Sequence, residues 1–486
     1  FFRLTIILRM ARNGSPDVSG DVDIEGILEE MKQNQISAVA QEKGCTALRN
    51  LVADRDRIAN AGGITVVVDA MKQHQASTGV QHQGCWVLKD LAVNNDNRVA
   101  IADQEGIEVI LDSMQQNKST ASVQEQGCAA LRNLALNAKN KVQIANAGGI
   151  AVILQGMKQH LTIGSIQQQG CGVLGNLAVN ESNAFRIAKD GGIPAILDAL
   201  KQHQGTVGVQ EAGCVALRNL AVFDQSIVKV ANAGGIAIIL DAMKQFREFA
   251  SVQEQGCAAL RGLAGNSANR SKVAAAGGIL VIRDAMKAHQ DSNGVQEQGC
   301  AVLRNLAVND DIKMKVADCG CIPVIVSAME QHPGIAAIQR QGCWALKDLS
   351  ENAKNRTTIA DSGGIPAILN AIKQHEAVPG IVQQGCAALK NLINNDSNKA
   401  KVSDAGGLAV VEAALQQPNA NPIVRADGAF LVQELNDFQK RNPPSPNRGG
   451  PSPVIFVAPD TKASPKQVPV VDALHAPVEL VDMDSE

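Results

Sequence analysis

The chain has 486 residues, with 45 Lys and Arg against 48 Asp and Glu, a net charge of −3. A balance so near neutral excludes a strong overall pull toward nucleic acid or anionic membrane, and 45% apolar with 19% charged residues excludes wholesale disorder. Aromatic residues make up 2%, with two Trp and no Tyr, which speaks against a base-stacking RNA platform.

Residues 1–20 lie outside the pattern that follows. The opening FFRLTIILRM is apolar but is bracketed by Arg3 and Arg9, and no apolar run reaches the ~18 residues needed to cross a bilayer. An incompletely defined gene start upstream of Met10, or a truncated signal peptide, accounts for it, and this segment is expected to be unstructured.

From residue 21 to 438 the chain is a repeat. Cys45, Cys85, Cys128, Cys171, Cys214, Cys257, Cys300, Cys343 and Cys386 each follow a Gly, and after a first interval of 40 they recur every 43 residues. The missing three residues fall near Ala53–Asp54. One unit is SVQEQGCAALRNLALNAKNKVQIANAGGIAVILQGMKQHLTIG, Ser122 to Gly164. Its first segment, Ser122–Leu136, spaces Val123, Cys128, Leu131 and Leu134 for one side of a helix. Ser122 with Glu125, like Ser251 with Glu254, reads as a capping box. A short helix is expected around Lys141–Asn146, ended at Gly148-Gly149 by a left-handed Gly. A third helix, Ile150–Gln159, follows. Pro194, Pro323 and Pro366 fall in the first turn of its sister helices, where a missing amide hydrogen costs little. Three-helix layers of this kind have no closed core of their own, so each must bury its apolar side on its neighbours. Nine to ten layers at ~8–10 Å each span roughly 80–100 Å.

The cysteine spacing argues against disulfides, because stacked layers hold equivalent residues farther apart than the ~7 Å Cα limit. Buried free thiols in a reducing compartment, cytoplasmic or nuclear, are expected. Cys319 and Cys321 stand outside the ladder, where the unit above carries Ala147 and Gly149, and read as repeat drift rather than a metal site.

VQEQGCAALRNLA followed by NAGGI closely resembles the armadillo repeat, and the Gly-Cys variant is similar to the armadillo region of large leucine-rich-repeat kinases. The resemblance implies an all-α, right-handed superhelical solenoid whose GC-bearing helices line a concave groove for extended peptide segments. It implies that Asn50, Asn133, Asn176, Asn219, Asn305 and Asn391 hydrogen-bond a ligand backbone, as a carboxamide both donates and accepts. Asp90 and Asp348 replace that Asn in two units, and Gly262 in one. In nuclear-import adaptors of the family a Trp stands four residues earlier. Here only Trp86 and Trp344 do, each able to join Asp90 or Asp348 around one basic side chain. One residue before the Asn runs a basic ladder, Arg49, Lys89, Arg132, Arg218, Arg261, Arg304, Lys347 and Lys390, broken only at Gly175. Facing a groove, it would favour acidic or phosphorylated segments. A polar rung, Gln83, Gln126, Gln169, Gln255, Gln298, Gln341 and Gln384, accompanies it.

His74, His160, His203, His289, His332 and His375 share one slot near the end of a helix, where the dipole favours a charged His. A residue repeated in every layer does not make the convergence of unlike groups that catalysis needs, and no GxxxxGK[ST] loop occurs. The chain is therefore expected to be no enzyme, with no cofactor, metal or small-molecule substrate. After Gln439 the composition turns Pro-rich, with Ser445, Ser452 and Ser464 each preceding a Pro and an acidic end. Residues 439–486 are expected to be a disordered tail, its end complementary in charge to the basic ladder. Three functional readings follow: a scaffold or adaptor holding an extended partner segment, the regulatory arm of a larger signalling enzyme, and an import-type receptor for basic cargo.

Overall fold

The computed structural model describes residues 23–418 and 420–442; the expectations for residues 1–20 and for the tail beyond residue 442 lie outside them. Twenty-nine α-helices and one 3-10 turn follow one another, with no strand among the described residues. A typical layer holds a short helix, a helix opened by Gly-Gly, and a long helix carrying Gly-Cys. In one layer these are Ala138–Asn146, Gly149–Gln159 and Gly164–Leu177. The first layer, Ile24–Gln33 with Ala38–Arg49, has no short helix among the described residues. The three-residue shortfall trims the next short helix to Arg55–Asn60 behind the 3-10 turn Val52–Asp54. The last long helix, Pro422–Arg441, runs three residues past the expected boundary at 438.

The turn between short and Gly-Gly helices forms as the sequence predicts. Gly148 takes φ 82°, and its counterparts in seven other layers are also left-handed, where a side chain would be strained. Glu105 is the exception, a non-Gly residue at φ 64°.

The capping boxes do not form. Ser122 lies inside Ala121–Leu134, behind N-cap Thr120, and Ser251 lies inside Ala250–Leu263. Side chains at this slot face the preceding layer instead: Ser165 donates to Glu125 and Ser251 to Glu211. The caps that do form belong chiefly to the short helices. Asn94, Asn137, Asn180, Asn266, Asn309, Asn352 and Asn395 accept from amides of the first turn, satisfying donors that have no intrahelical partner.

The main apolar core runs from Ile24 to Leu435, with a small separate cluster of Cys214, Ala242, Phe246 and Val252. The ladder cysteines are fully buried and unpaired. Burial pushes most of their thiols up to about 12, so they act as small apolar side chains.

Two polar ladders hold the elements in place. In eight of the nine layers with a Gly-Cys pair, a buried Gln three residues before that Gly donates through one Nε2 to two carbonyls at the end of the preceding helix in its own layer; Val382 takes the slot in the ninth. Gln167, for example, reaches Met157 and His160, each at 2.9 Å. Gln41, Gln81, Gln124, Gln210, Gln253, Gln296 and Gln339 repeat this. The His slot stitches layer to layer: Nε2 of His160 meets the Lys118 carbonyl at 2.7 Å, and five sister His do the same. Successive long helices pack extensively on one another along the array.

Candidate functional site on the long-helix wall

The basic ladder and the Gln rung meet across layers. Nη1 of Arg49, Arg132, Arg218, Arg261 and Arg304 donates to Oε1 of Gln83, Gln169, Gln255, Gln298 and Gln341, the residue facing it in the next layer, at 2.8–3.4 Å. In the last layer Asp427 takes the Gln position and pairs with Lys390 at 2.7 Å. Where the ladder breaks at Gly175, the facing residue is Ala212 rather than Gln, so both halves of the rung are lost together. Burial lowers the pKa of Arg132 and Arg218, against the opposing pull of the nearby Glu211 and Glu254 carboxylates. Among the described residues, Arg49, Arg132, Arg218 and Arg261 form no ion pair; their acceptors are neutral amide oxygens, Asn50 and Asn219 included. A partly desolvated guanidinium held by neutral acceptors keeps its charge available to an anion.

The Asn ladder is differently employed than the resemblance implies. Nδ2 of Asn133, Asn176, Asn219, Asn305 and Asn391 donates to the carbonyl of Lys89, Arg132, Gly175, Arg261 and Lys347, in the last turn of the preceding long helix. Carbonyls there lack an intrahelical donor, and the carboxamide supplies it. Asn133 and Asn219 are only 8% and 7% exposed. The amide expected to read a ligand backbone thus braces its own array, and a ligand that took it would orphan a carbonyl. Asn50, the first of the ladder, follows no long helix among the described residues, and is exposed. Gly262 has a separate cause: a Cβ there would lie 2.6 Å from the Ala221 carbonyl oxygen.

The two W-x-x-K-D layers also satisfy themselves. Arg49 and Lys89 lie 4.7 and 4.6 Å from the Trp86 ring centre, and Arg304 lies 3.8 Å from that of Trp344. Asp90 pairs with Lys89 at 3.2 Å and Asp348 with Lys347 at 2.9 Å. The basic side chain that each Trp–Asp pair was expected to hold is supplied from within. Buried Asp348 has its pKa raised by desolvation, partly offset by Lys347. Lys347 also meets Glu351, which binds Lys313 in turn. This charged cluster departs from the repeat, and reading positions one slot at a time misses it; Glu351 standing where other layers carry Val222 or Val308 is its signal.

Clefts of about 170 and 210 Å³ lie between neighbouring Gly-Gly helices, below the usual size of a small-molecule pocket. Among the described residues no cluster of three or more His, Cys, Asp or Glu could hold a metal, and no single helix is long and apolar enough to cross a membrane.

Stacked three-helix layers, Gly-Gly turns and a laddered long-helix wall define an armadillo-type α-solenoid. The sequence matches the LRRK2 ARM repeat over residues 60–188 and 193–355, more than half of the chain, and the protein belongs to that family. No curated protein sequence matches it significantly. Among solved structures, it resembles an engineered protein at TM-score 0.73 and 20% identity, covering 85% of this chain and 99% of the other. It also resembles a β-catenin chain at TM-score 0.70 and 14% identity, covering 89% and 90%, from work on a conserved phosphorylation switch that controls the cadherin–β-catenin interaction. At these identities the likeness is one of fold. ARM-repeat solenoids generally serve as protein-interaction scaffolds.

Proposed function

We propose that the protein is a non-catalytic scaffold that holds an extended segment of a partner protein along its long-helix wall, and that acidic or phosphorylated segments suit it best. The observation that carries this reading is the row of guanidiniums at Arg49, Arg132, Arg218 and Arg261, held by neutral oxygens. An extended strand rises ~3.3 Å per residue, so layers ~8–10 Å apart present one cation for about every three ligand residues. The β-catenin chain of similar fold, from work on a phosphorylation switch that controls its interaction with cadherin, lends analogy only. Basic cargo is not favoured, because the protein's own cations cover Trp86 and Trp344. A cytoplasmic or nuclear site suits the unpaired thiols.

Peptide arrays of acidic, phosphorylated and basic sequences test the reading. Acidic or phosphorylated spots should bind, and Arg218→Gln with Arg261→Gln should weaken binding roughly tenfold or more, from ~1.5–3 kcal/mol per charged hydrogen bond, and flatten its salt dependence. Preferred binding of basic peptides, or unchanged affinity in the folded double variant, would overturn it. A second reading, the regulatory arm of a larger signalling enzyme, draws on the LRRK2 ARM repeat match. Transcript sequence on either side of this chain encoding no catalytic domain would remove it.

A further inference from the structure

The turn Cys319-Gly320-Cys321 departs from its sister turns at both cysteines, and a third departure lies across the layer boundary. Arg283 occupies a slot that other layers fill with buried Leu197, Leu240 and Leu369. Its Nη1 donates to the Cys319 carbonyl at 2.8 Å, while Nε and Nη2 donate to Asp284 at 2.9 and 2.7 Å. Three changes from the repeat therefore meet at one place, two of them thiols.

Cys319 is half-buried and caps the C-terminus of the short helix Asp310–Asp318; Cys321 is fully buried at the first position of Cys321–Gln331. Gly320 between them is left-handed, at φ 73°. Two peptide units, each ~3.8 Å between Cα atoms, folded by a left-handed centre, bring the two Cα atoms into the ~4.4–6.8 Å range that a disulfide spans. The ladder thiols, a full layer apart, are outside it. Burial dominates the Cys321 thiol, pushing it up to about 12, while Arg283 and Lys287 draw it back. Both cations stand on the facing Gly-Gly helix, with Asp284 opposing them.

We propose that Cys319 and Cys321 form a modifiable dithiol, closed to a disulfide within the turn by a peroxide and bridged by a trivalent arsenical. Cys319, the less buried of the two, attacks one peroxide oxygen as its thiolate. The O–O bond breaks, leaving a sulfenic acid and an alcohol or water that carries off the Cys319 proton. Cys321 then attacks the Cys319 sulfur: the S–S bond forms, the S–OH bond breaks, and water departs with the Cys321 proton. Two thiols and one peroxide become one disulfide, one alcohol and one water. An aryl arsenoxide reacts without redox change, exchanging its oxygen for two sulfurs and releasing water. Across the boundary, Arg283 and Lys287 favour the Cys321 thiolate against the effect of its burial.

The test treats the full chain with one equivalent of hydrogen peroxide, alkylates under denaturing conditions and digests with trypsin. The fragment spanning residues 316–340 holds both cysteines and no others. It should appear unalkylated and two hydrogens lighter, while the remaining nine of the eleven cysteines alkylate in full. Cys319→Ala and Cys321→Gly install the residues of sister turns, so they keep the fold. Each should abolish disulfide formation and one-to-one binding of phenylarsine oxide. Arg283→Leu, likewise the residue of sister layers, should slow oxidation several-fold. Oxidation spread evenly over all cysteines, a sulfinic or sulfonic acid at Cys319 in place of the disulfide, or arsenical binding that survives Cys319→Ala would overturn the proposal.

Discussion

Replacing Gln210 with Met is the sharpest test of how the layers hold together. Gln210 is 2% exposed, and its Nε2 bonds the carbonyls of Leu200 and His203 at 2.8 and 2.9 Å. Met has nearly the same volume and length, so no cavity opens and the loss isolates the hydrogen bonds. A buried acceptor left without a donor costs ~1–3 kcal/mol. The Leu200 carbonyl bears that in full, whereas the His203 carbonyl lies nearer solvent and recovers part of it from water. Relief from burying the amide offsets a little. The expected loss is about 2–3 kcal/mol, confined to one layer and its neighbours, because contacts in a solenoid are local. Urea unfolding gives the total, and amide exchange over residues 192–220 shows where it falls. A loss below about 0.5 kcal/mol, or exchange that quickens uniformly along the array, would refute the assignment of these Gln residues as layer braces.

Asn133→Ala with Asn219→Ala should cost about 1–2 kcal/mol per site in urea unfolding, because each amide satisfies a carbonyl of the preceding layer; a stability-neutral double variant would return these residues to the ligand. Glu105→Gly should stabilise by about 0.5–1 kcal/mol, the left-handed strain relieved less the entropy of Gly, measured as a rise in melting temperature; a fall would show that the exposed pair with Lys72 matters more. Asp348→Asn should change how stability depends on pH, because it removes the titrating carboxyl at nearly constant volume. Because the fold raises the pKa of Asp348, its carboxyl holds the proton more tightly folded than unfolded. Stability therefore declines as pH rises from the ordinary aspartate value through the raised one, and the variant should lose that decline; an identical pH profile would contradict it.

The architecture was legible because a 43-residue period leaves little freedom: one helical reading, repeated, must stack. Gly148 was readable for a related reason, since a Gly after a helical pattern has few uses. Ser122 and Asn133 mark where this reasoning thins. Ser122–Glu125 has capping-box spacing, yet the helix begins at Ala121 and Ser122 falls in its first turn; a helix start shifted by two residues turns a cap into a contact between layers. Asn133 sits at the right position for a ligand contact, but a polar residue in every layer can equally be answered by something else present in every layer, here the orphaned carbonyl of the helix before. Spacing along one unit cannot separate the two, because the deciding partner lies 44 residues away. The Lys313–Glu351–Lys347–Asp348 cluster was hidden for the opposite reason: it occurs once, so the repeat that revealed everything else treats it as noise.

The paired absence of a cation at Gly175 and its amide at Ala212 gives the wall a landmark. A perfectly regular row would let a bound strand slide by a whole layer at no cost, since every step looks like the last. One blank rung removes that degeneracy. On the proposed scaffold reading, a strand whose own acidic positions skip once at the matching point would settle in a single alignment, with the omission marking where along the array it stops.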